Sequence, residues 1–499
     1  MLLKRIFDTF SFYQKIGNGF QCFVTSGVTL NMLTHGFMYG FNTGLFAQLR
    51  KTKEIQLDLE LESWLASSTS LSFIVGSLFS SIFMDRFGRR PAFIIASATM
   101  IISWLIFIAA KSFTALLVAK IFQGFSAGVE STTGYILVGE YVSPNHRASF
   151  LASFQPVMLF GDFITHSLSS ICDWRNVAII LAFFSIPGLA LIVFSPESPS
   201  FLAKIGMHDQ CKKVFYWLRG PNENNEVEML IKTNLPSKQN AINNDKINGY
   251  KKVIHKLSFI GTFFKKREVR ISLFIMVHMQ LINLFSGSIL YDSYTVDIHT
   301  AVFGTDKDQY MYLIVMYLDI VRILSSIFSV FLTQKMKRRS MLLSLVGLNI
   351  LMYLLLGIYV LCKNHNLLPF DHISIGIILY GFNYFSLAAG SVSLPNIVAG
   401  EIFPLANRSA CGMICNITFS LYMFVNIKNV PYIFSGAGVS GVFFMNAALL
   451  SYALGMTMYT LPETKDKTLL EIEHILRGCP IADDDETMIN LKEHNETNF

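Results

Sequence analysis

The feature that most constrains this chain is a succession of apolar stretches, each long enough to cross the hydrocarbon core of a bilayer. About 20 apolar residues are needed to do so as a helix. Such stretches lie at 22–47, 64–84, 91–110, 113–138, 149–171 and 177–195, and after a polar interval at 271–297, 310–332, 341–362, 373–399, 410–430 and 440–461. Composition agrees: 52% of the 499 residues are hydrophobic and only 15% charged, where a soluble domain carries about a quarter charged. The spacing predicts an all-α membrane protein of twelve transmembrane helices in two six-helix halves. The expected segments are an N-terminal stretch 1–20, a first half 21–199, a linker 200–270, a second half 271–462 and a tail 463–499.

The positions of Lys and Arg set the orientation. Arg86, Arg89 and Arg90 follow the second stretch, Arg147 the fourth, Lys335, Lys337, Arg338 and Arg339 the eighth, and Arg408 the tenth; the 200–270 interval is also basic. On the opposite side Arg50, Lys51 and Lys53 are offset by Glu54, Asp58, Glu60 and Glu62. Both termini are therefore expected in the cytoplasm, and the sequons at Asn407, Asn416 and Asn495 are expected to stay unglycosylated. The seven Cys are scattered singly, which implies neither a disulfide framework nor a zinc site. Met1 to Phe20 lacks the pattern of a cleavable signal, so the first helix is expected to serve for insertion. The interval after 200 reads as short amphipathic helices (Asp209 to Leu218) and an Asn- and Lys-rich linker, and the acidic tail around Asp483 to Glu486 as solvated and disordered.

The two halves repeat. Asp85-Arg-Phe-Gly-Arg-Arg90 is echoed by Gln334-Lys-Met-Lys-Arg-Arg339, Gly139-Glu140 before Arg147 by Gly400-Glu401 before Arg408, and Pro196-Glu197-Ser198 by Pro462-Glu463-Thr464. Three ordered echoes argue for a duplicated unit, which places a substrate site near the midplane between the copies.

These motifs carry a resemblance. Asp85 to Arg90 resembles the loop signature of the major facilitator superfamily. Pro196-Glu-Ser-Pro199, Trp217-Leu-Arg-Gly220, Gly400-Glu-Ile-Phe-Pro404 and Pro462-Glu-Thr-Lys465 resemble its sugar porters. Ser63-Trp-Leu-Ala-Ser67 and Phe424 to Lys428 are most similar to the facilitated trehalose transporters of insects. The resemblance implies the major facilitator fold and alternating access. It also implies a cytoplasmic latch in which Arg86, Arg89, Arg90, Arg147 and Arg408 pair with Asp85, Glu140, Glu197, Glu401 and Glu463. Because Gln334 and Lys337 replace the acid and the glycine, the second copy of the latch is expected to be weaker.

Carried over position by position, the resemblance implies a sugar site at Gln155, Asn283, Ser286, Arg322, Asn396 and Ser420. Two of these, Asn396 and Ser420, stand where sugar porters have tryptophan platforms, and Arg322 stands where many have an amide. Charges at membrane depth cost at least about 2.5 kcal/mol on insertion scales unless paired or wet. Glu130, Asp162, Asp319 and Arg322 are such charges, and Asp319 with Arg322, three residues apart, are expected to pair. His35, His166 and His278 read as polar packing or cavity lining. Asn42 stands where proton-coupled sugar porters carry an aspartate, and an amide cannot take up a proton at physiological pH, which implies facilitated transport.

The reading that follows is a plasma-membrane transporter of a small saccharide. It needs no cofactor or metal, binds no nucleic acid, and is expected to suffice as a monomer in the lipid bilayer. The alternatives are a transporter of an anionic or other polyhydroxyl solute held by Arg322, and a non-transporting nutrient sensor. Nothing in the sequence points to an enzyme.

Overall fold

The computed structural model describes residues 19–143, 150–220, 227–228, 230–231, 263–304, 308–367, 373–404, 407–465, 467 and 469–478. Arg147, most of the Asn- and Lys-rich linker and the acidic tail lie outside these residues, and of Arg408 only the backbone is described. In the first half, α1 (Gly19–Thr52), α2 (Leu59–Phe87), α3 (Arg89–Ala109), α4 (Phe113–Tyr141), α5 (Phe154–Ser169) and α6 (Trp174–Phe194) lead to two short helices, α7 (Pro199–Lys204) and α8 (His208–Arg219). In the second half, α9 (Arg267–Phe285) and α10 (Ser288–Phe303) are followed by α11 (Asp308–Lys335) and α12 (Arg338–Asn364). Then come α13 (Ile373–Ser386), a π-helical turn Leu387–Ser391, α14 (Ser393–Ile402), α15 (Arg408–Thr460) and α16 (Leu469–Arg477).

Helix boundaries follow local chemistry. Asp58 accepts the Leu61 N–H at 2.7 Å and starts α2, and Ser112 accepts from Ala115 to start α4. Within the expected stretch 271–297, Gly287 takes φ +105° and separates α9 from α10; a Cβ there would collide with the Tyr353 hydroxyl. The stretches 410–430 and 440–461 run together as α15, interrupted at Gly438 with φ +68°.

Among the described residues, eight runs are long and apolar enough to cross a membrane by themselves. Helices α1 and α4 fall outside that set because they carry many polar side chains, among them Asn31, His35 and Asn42 on α1 and Lys120, Gln123 and Glu130 on α4, all buried among neighbouring helices. Large apolar side chains such as Val75, Ile82, Phe183, Phe194, Leu324 and Phe331 point outward instead, the arrangement that lipid requires.

Close backbone approach organises the first half. Gly36, Gly40 and Gly44 recur every four residues along α1 and lie against α5. A Cβ would strike the Met158 carbonyl from Gly36, the Asp162 backbone from Gly40 and Ser169 from Gly44. Gly161 of α5 returns the contact on Leu33. Gly124 and Gly128 bring α4 equally near the Thr69 and Phe73 carbonyls of α2. Small residues at this spacing are how helices pack where the surroundings are as apolar as the side chains.

Candidate functional site

The bundle has two ends, named here by Arg50 and Arg89. Several contacts join the halves at the Arg50 end. Thr43 Oγ1 donates to the Asp292 carbonyl at 2.9 Å, Arg50 pairs with Asp297 at 2.7 Å and with Glu62, and Ser63 donates to the Lys428 carbonyl at 3.2 Å. The Lys428 ammonium also lies 4.2 Å over the Trp64 ring, so both motifs quoted for the trehalose resemblance meet here.

Deeper in the bundle the halves meet through charges. Asp162 and His166 stand one turn apart on α5, Asp292 on α10, and Asp319 and Arg322 on α11; each is at most 5% exposed. His166 Nδ1 lies 2.6 Å from Asp319 Oδ2, and Arg322 donates to Asp292 Oδ1 at 2.8 Å. Arg322 is also 3.9 Å from both Asp319 and Asp162. The expected Asp319–Arg322 pair is therefore the longer of the contacts each residue makes. The i,i+3 spacing puts both on one face, but His166 of the other half turns Asp319 away and Asp292 takes the guanidinium. Asp162 Oδ1, His166 Nε2 and Arg322 Nε have no hydrogen-bond partner.

Asp292 was not among the residues singled out from sequence, although an acid inside the stretch 271–297 is a signal of the same kind as Asp162. Lys120 was missed likewise. It is fully buried on α4, donates to Asn42 Oδ1 and to Gln123 Oε1 (3.2 Å for the latter), and lies 5.4 Å over the Phe107 ring. Glu130, also fully buried, accepts from Ser126 at 3.2 Å while its Oε2 is unpartnered.

The carried-over sugar positions are less tightly grouped. Gln155 and Asn283 are only partly buried, which leaves amides able to meet a ligand, whereas Asn396 is exposed and its Nδ2 donates to the Val392 carbonyl at 3.4 Å. Ser286 Oγ donates to the Asn283 carbonyl and Ser420 Oγ to the Asn416 carbonyl, so both hydroxyls are spent inside their own helices. His278 Nδ1 lies against the Phe274 carbonyl, and His35 stacks on Tyr39.

At the Arg89 end the two copies of the repeat build the same cluster. The Arg89 side chain reaches Glu140 at 3.2 Å and the Met84 carbonyl at 3.4 Å; Arg338 reaches Glu401 at 2.8 Å and the Thr333 carbonyl at 2.5 Å. Glu197 accepts the backbone N–H groups of Arg89 and Arg90, and Glu463 those of Arg338 and Arg339. Ser198 donates to Glu140, and Thr464 to Glu401 at 2.6 Å. Arg90 and Arg339 reach the carbonyls of Val193 and Met458. Each carboxylate after the half's last long helix thus satisfies the orphan N–H groups at the start of another helix. Burial opposes ionisation of Glu463, but the three backbone N–H groups and Arg338 outweigh it and hold the carboxyl below the usual range.

The second copy is as complete as the first, contrary to the expectation. Gly88 needs φ +105°, whereas Lys337 makes the same turn with φ −66°, so the missing glycine costs nothing. The missing acid matters little either, because Asp85 pairs with Lys204 at the surface (2.8 Å) and not with the arginines. Arg86 lies over the Phe87 ring. Every one of these pairs joins segments of one half, so none of them bridges the halves as an interdomain latch would.

Comparison with known proteins is consistent with this architecture. The family model described as sugar (and other) transporter matches residues 28–476. A facilitated trehalose transporter of Aedes aegypti is 23% identical over 92% of this chain, and this chain spans 55% of that relative's length. The arabinose-proton symporter of Escherichia coli K12 is 25% identical over 88% of this chain and 91% of its own. Among solved structures, the inward-open xylose transporter XylE of E. coli superposes with a TM-score of 0.69 at 16% identity, over 91% of this chain and 99% of that one. A partially occluded inward-open form of XylE gives 0.70, also at 16% identity, over 90% of this chain and all of that one.

Proposed function

Because this chain belongs to the sugar (and other) transporter family, we propose that it carries a small saccharide across a membrane by alternating exposure of a site between its halves. Its relatives are transporters, and it is not an enzyme. The helical runs are read as twelve spans: α9 with α10 forms one broken span, α13 with α14 another, and α15 two that divide near Gly438. Both termini are assigned to the cytoplasm on the Lys and Arg distribution, and the plasma membrane is the assigned location.

The observation that carries this reading is the charged cluster built from both halves, since repeat interfaces near the midplane are where such carriers hold their cargo. Arg322 is engaged by Asp292, which disfavours an anionic cargo. The partly buried amides Gln155 and Asn283 suit the hydroxyls of a neutral sugar. A disaccharide of the trehalose type ranks first and glucose low, because Asn396 and Ser420 provide no aromatic platform. The intra-half clusters at the Arg89 end keep each half rigid while it rocks. In the first helix Asn42 is held by Lys120 and carries no proton, so that helix supports facilitated transport; the buried acids between the halves support a different coupling.

The test is counterflow of labelled trehalose, glucose and gluconate in proteoliposomes. Trehalose exchange above that of glucose, with none for gluconate, is expected. The absence of counterflow for every saccharide, from protein that remains monodisperse, would overturn the reading and favour a sensor.

A further inference from the structure

Three carboxylates, Asp162, Asp292 and Asp319, share one buried cluster with Arg322 and His166. Even with His166 as imidazolium, three negative charges face two positive ones. One carboxylate is left over among residues that are at most 5% exposed, where an unpaired charge is far more costly than a protonated acid. The contacts identify it. Asp319 has His166 at 2.6 Å and Asp292 has Arg322 at 2.8 Å, whereas the nearest cation to Asp162 is Arg322 at 3.9 Å. A Gly40 backbone N–H bonds the Asp162 carboxyl, and its Oδ1 has no partner.

Building on the transport reading above, we propose that Asp162 carries a proton through each transport cycle and couples saccharide movement to a transmembrane proton gradient. The geometry makes Arg322 a shared partner. With Asp162 protonated, the guanidinium rests on Asp292 of its own half, and α5 is held to α11 here by His166 and Asp319 without Asp162. When Asp162 gives its proton to water, its carboxylate competes for Arg322 across the interface and ties α5 to α11 a second time. The O–H bond forms on Asp162 with a proton from solvent on one side of the membrane and breaks to solvent on the other; nothing is oxidised or reduced. The other titratable groups facing the cluster are Tyr39 on α1, His299 on α10 and Tyr384 on α13. Tyr384 lies 5.6 Å from the Arg322 guanidinium, and both ring nitrogens of His299 are unpartnered in an apolar setting. Lys120 is engaged by Asn42 and Gln123 and does not neutralise the cluster.

The experiment has two arms on full-length protein. In proteoliposomes loaded with a pH-sensitive dye, trehalose flux should change lumenal pH, and an imposed proton gradient should drive accumulation. In Asp162→Asn the accumulation ratio should fall to unity at whatever rate of exchange the variant retains. The second arm needs no substrate: infrared difference spectra between wild type and Asp162→Asn at neutral pH should show the loss of one protonated carboxyl band, with Glu130→Gln identifying the band of the other buried acid. Saccharide counterflow by wild type with no lumenal pH change, or spectra in which no protonated carboxyl disappears, overturns the proposal. Absent counterflow with the carboxyl band still lost would instead fault the transport reading and leave the proton on Asp162 standing. Should Asp162→Asn fail to fold, the wild-type pH measurement decides alone.

Discussion

The molecule holds two kinds of ion cluster, and they differ in almost every respect. At the Arg89 end, Arg89 with Glu140 and Glu197, and Arg338 with Glu401 and Glu463, lie at helix termini. Their carboxylates are met by arginine side chains, backbone N–H groups and a hydroxyl, all within one half. Deeper in the bundle, Asp162, Asp292, Asp319, Arg322 and His166 join the two halves and leave three polar atoms without partners. The first kind occurs twice because the unit that contains it was duplicated. The second occurs once because only the junction of the copies creates it. Carboxylates that hold a helix end in place are answered by their neighbours; charges left unanswered deep in the bundle are those available to change partners.

Substitutions can break this contrast or sharpen it. The largest effect is expected for Arg322→Leu, which takes from Asp292 its partner at 2.8 Å and removes the cation 3.9 Å from Asp162 and Asp319. Removing one partner of a buried ion pair costs about 3–5 kcal/mol, so its thermal unfolding in detergent should fall furthest, and adding Asp292→Asn should restore part of the loss. An Arg322→Leu protein as stable as wild type would show that the cluster is wet.

Next come Arg89→Ala and Arg338→Ala. Each removes charged hydrogen bonds worth about 1.5–3 kcal/mol, and the two losses should be similar. A negligible loss for Arg338→Ala alone would break the equivalence of the two copies. Ser198→Ala and Thr464→Ala each remove one hydroxyl donor and should cost about 0.5–1.5 kcal/mol, read from the same melting curves. The smallest effect is expected for Asp85→Asn. Its pair with Lys204 is 69% and 46% exposed at the two side chains, and such pairs contribute at most about 1 kcal/mol, diminishing with salt. A large, salt-resistant loss there would return Asp85 to the core of the cluster.

Much of the fold was legible because lipid imposes a simple rule: apolar length measures a span, and cations mark a side. Residues 64–84 and 341–362 obey it and became α2 and α12. The pairing of Arg89 with Glu140 was legible too, because a repeated motif states it twice. Arg338, seen as part of the second copy, was left out of the expected latch because its motif had lost the neighbours that announce the first, although the backbone turn does not depend on them. The deeper cluster was only half visible. Asp162, Asp319 and Arg322 stood out as charges in apolar runs, but their partners are fixed by packing between halves, which spacing along one helix cannot convey. Asp319 was matched to the arginine three residues away when a histidine 153 residues distant was nearer. The expectation of facilitated transport rested on Asn42 alone, one position in one helix.

The glycine seam between α1 and α5 has a mechanical consequence. Gly40 lies against the backbone of Asp162 itself, with no side chain between them to compress or slip. A joint of that sort has no backlash: any displacement of α5 at Asp162 is delivered to α1 at full amplitude, as between two meshed gears. The first helix carries Thr43 and Arg50, which clasp the second half at the far end of the bundle. A shift of the guanidinium deep in the protein would therefore be felt as torque on that clasp, about one turn from Gly40 at Thr43 and about three at Arg50. Even a single added methyl group at Gly36, Gly40 or Gly44 should blunt the transmission, whereas Gly139 and Gly412, with open space around them, should accept one freely.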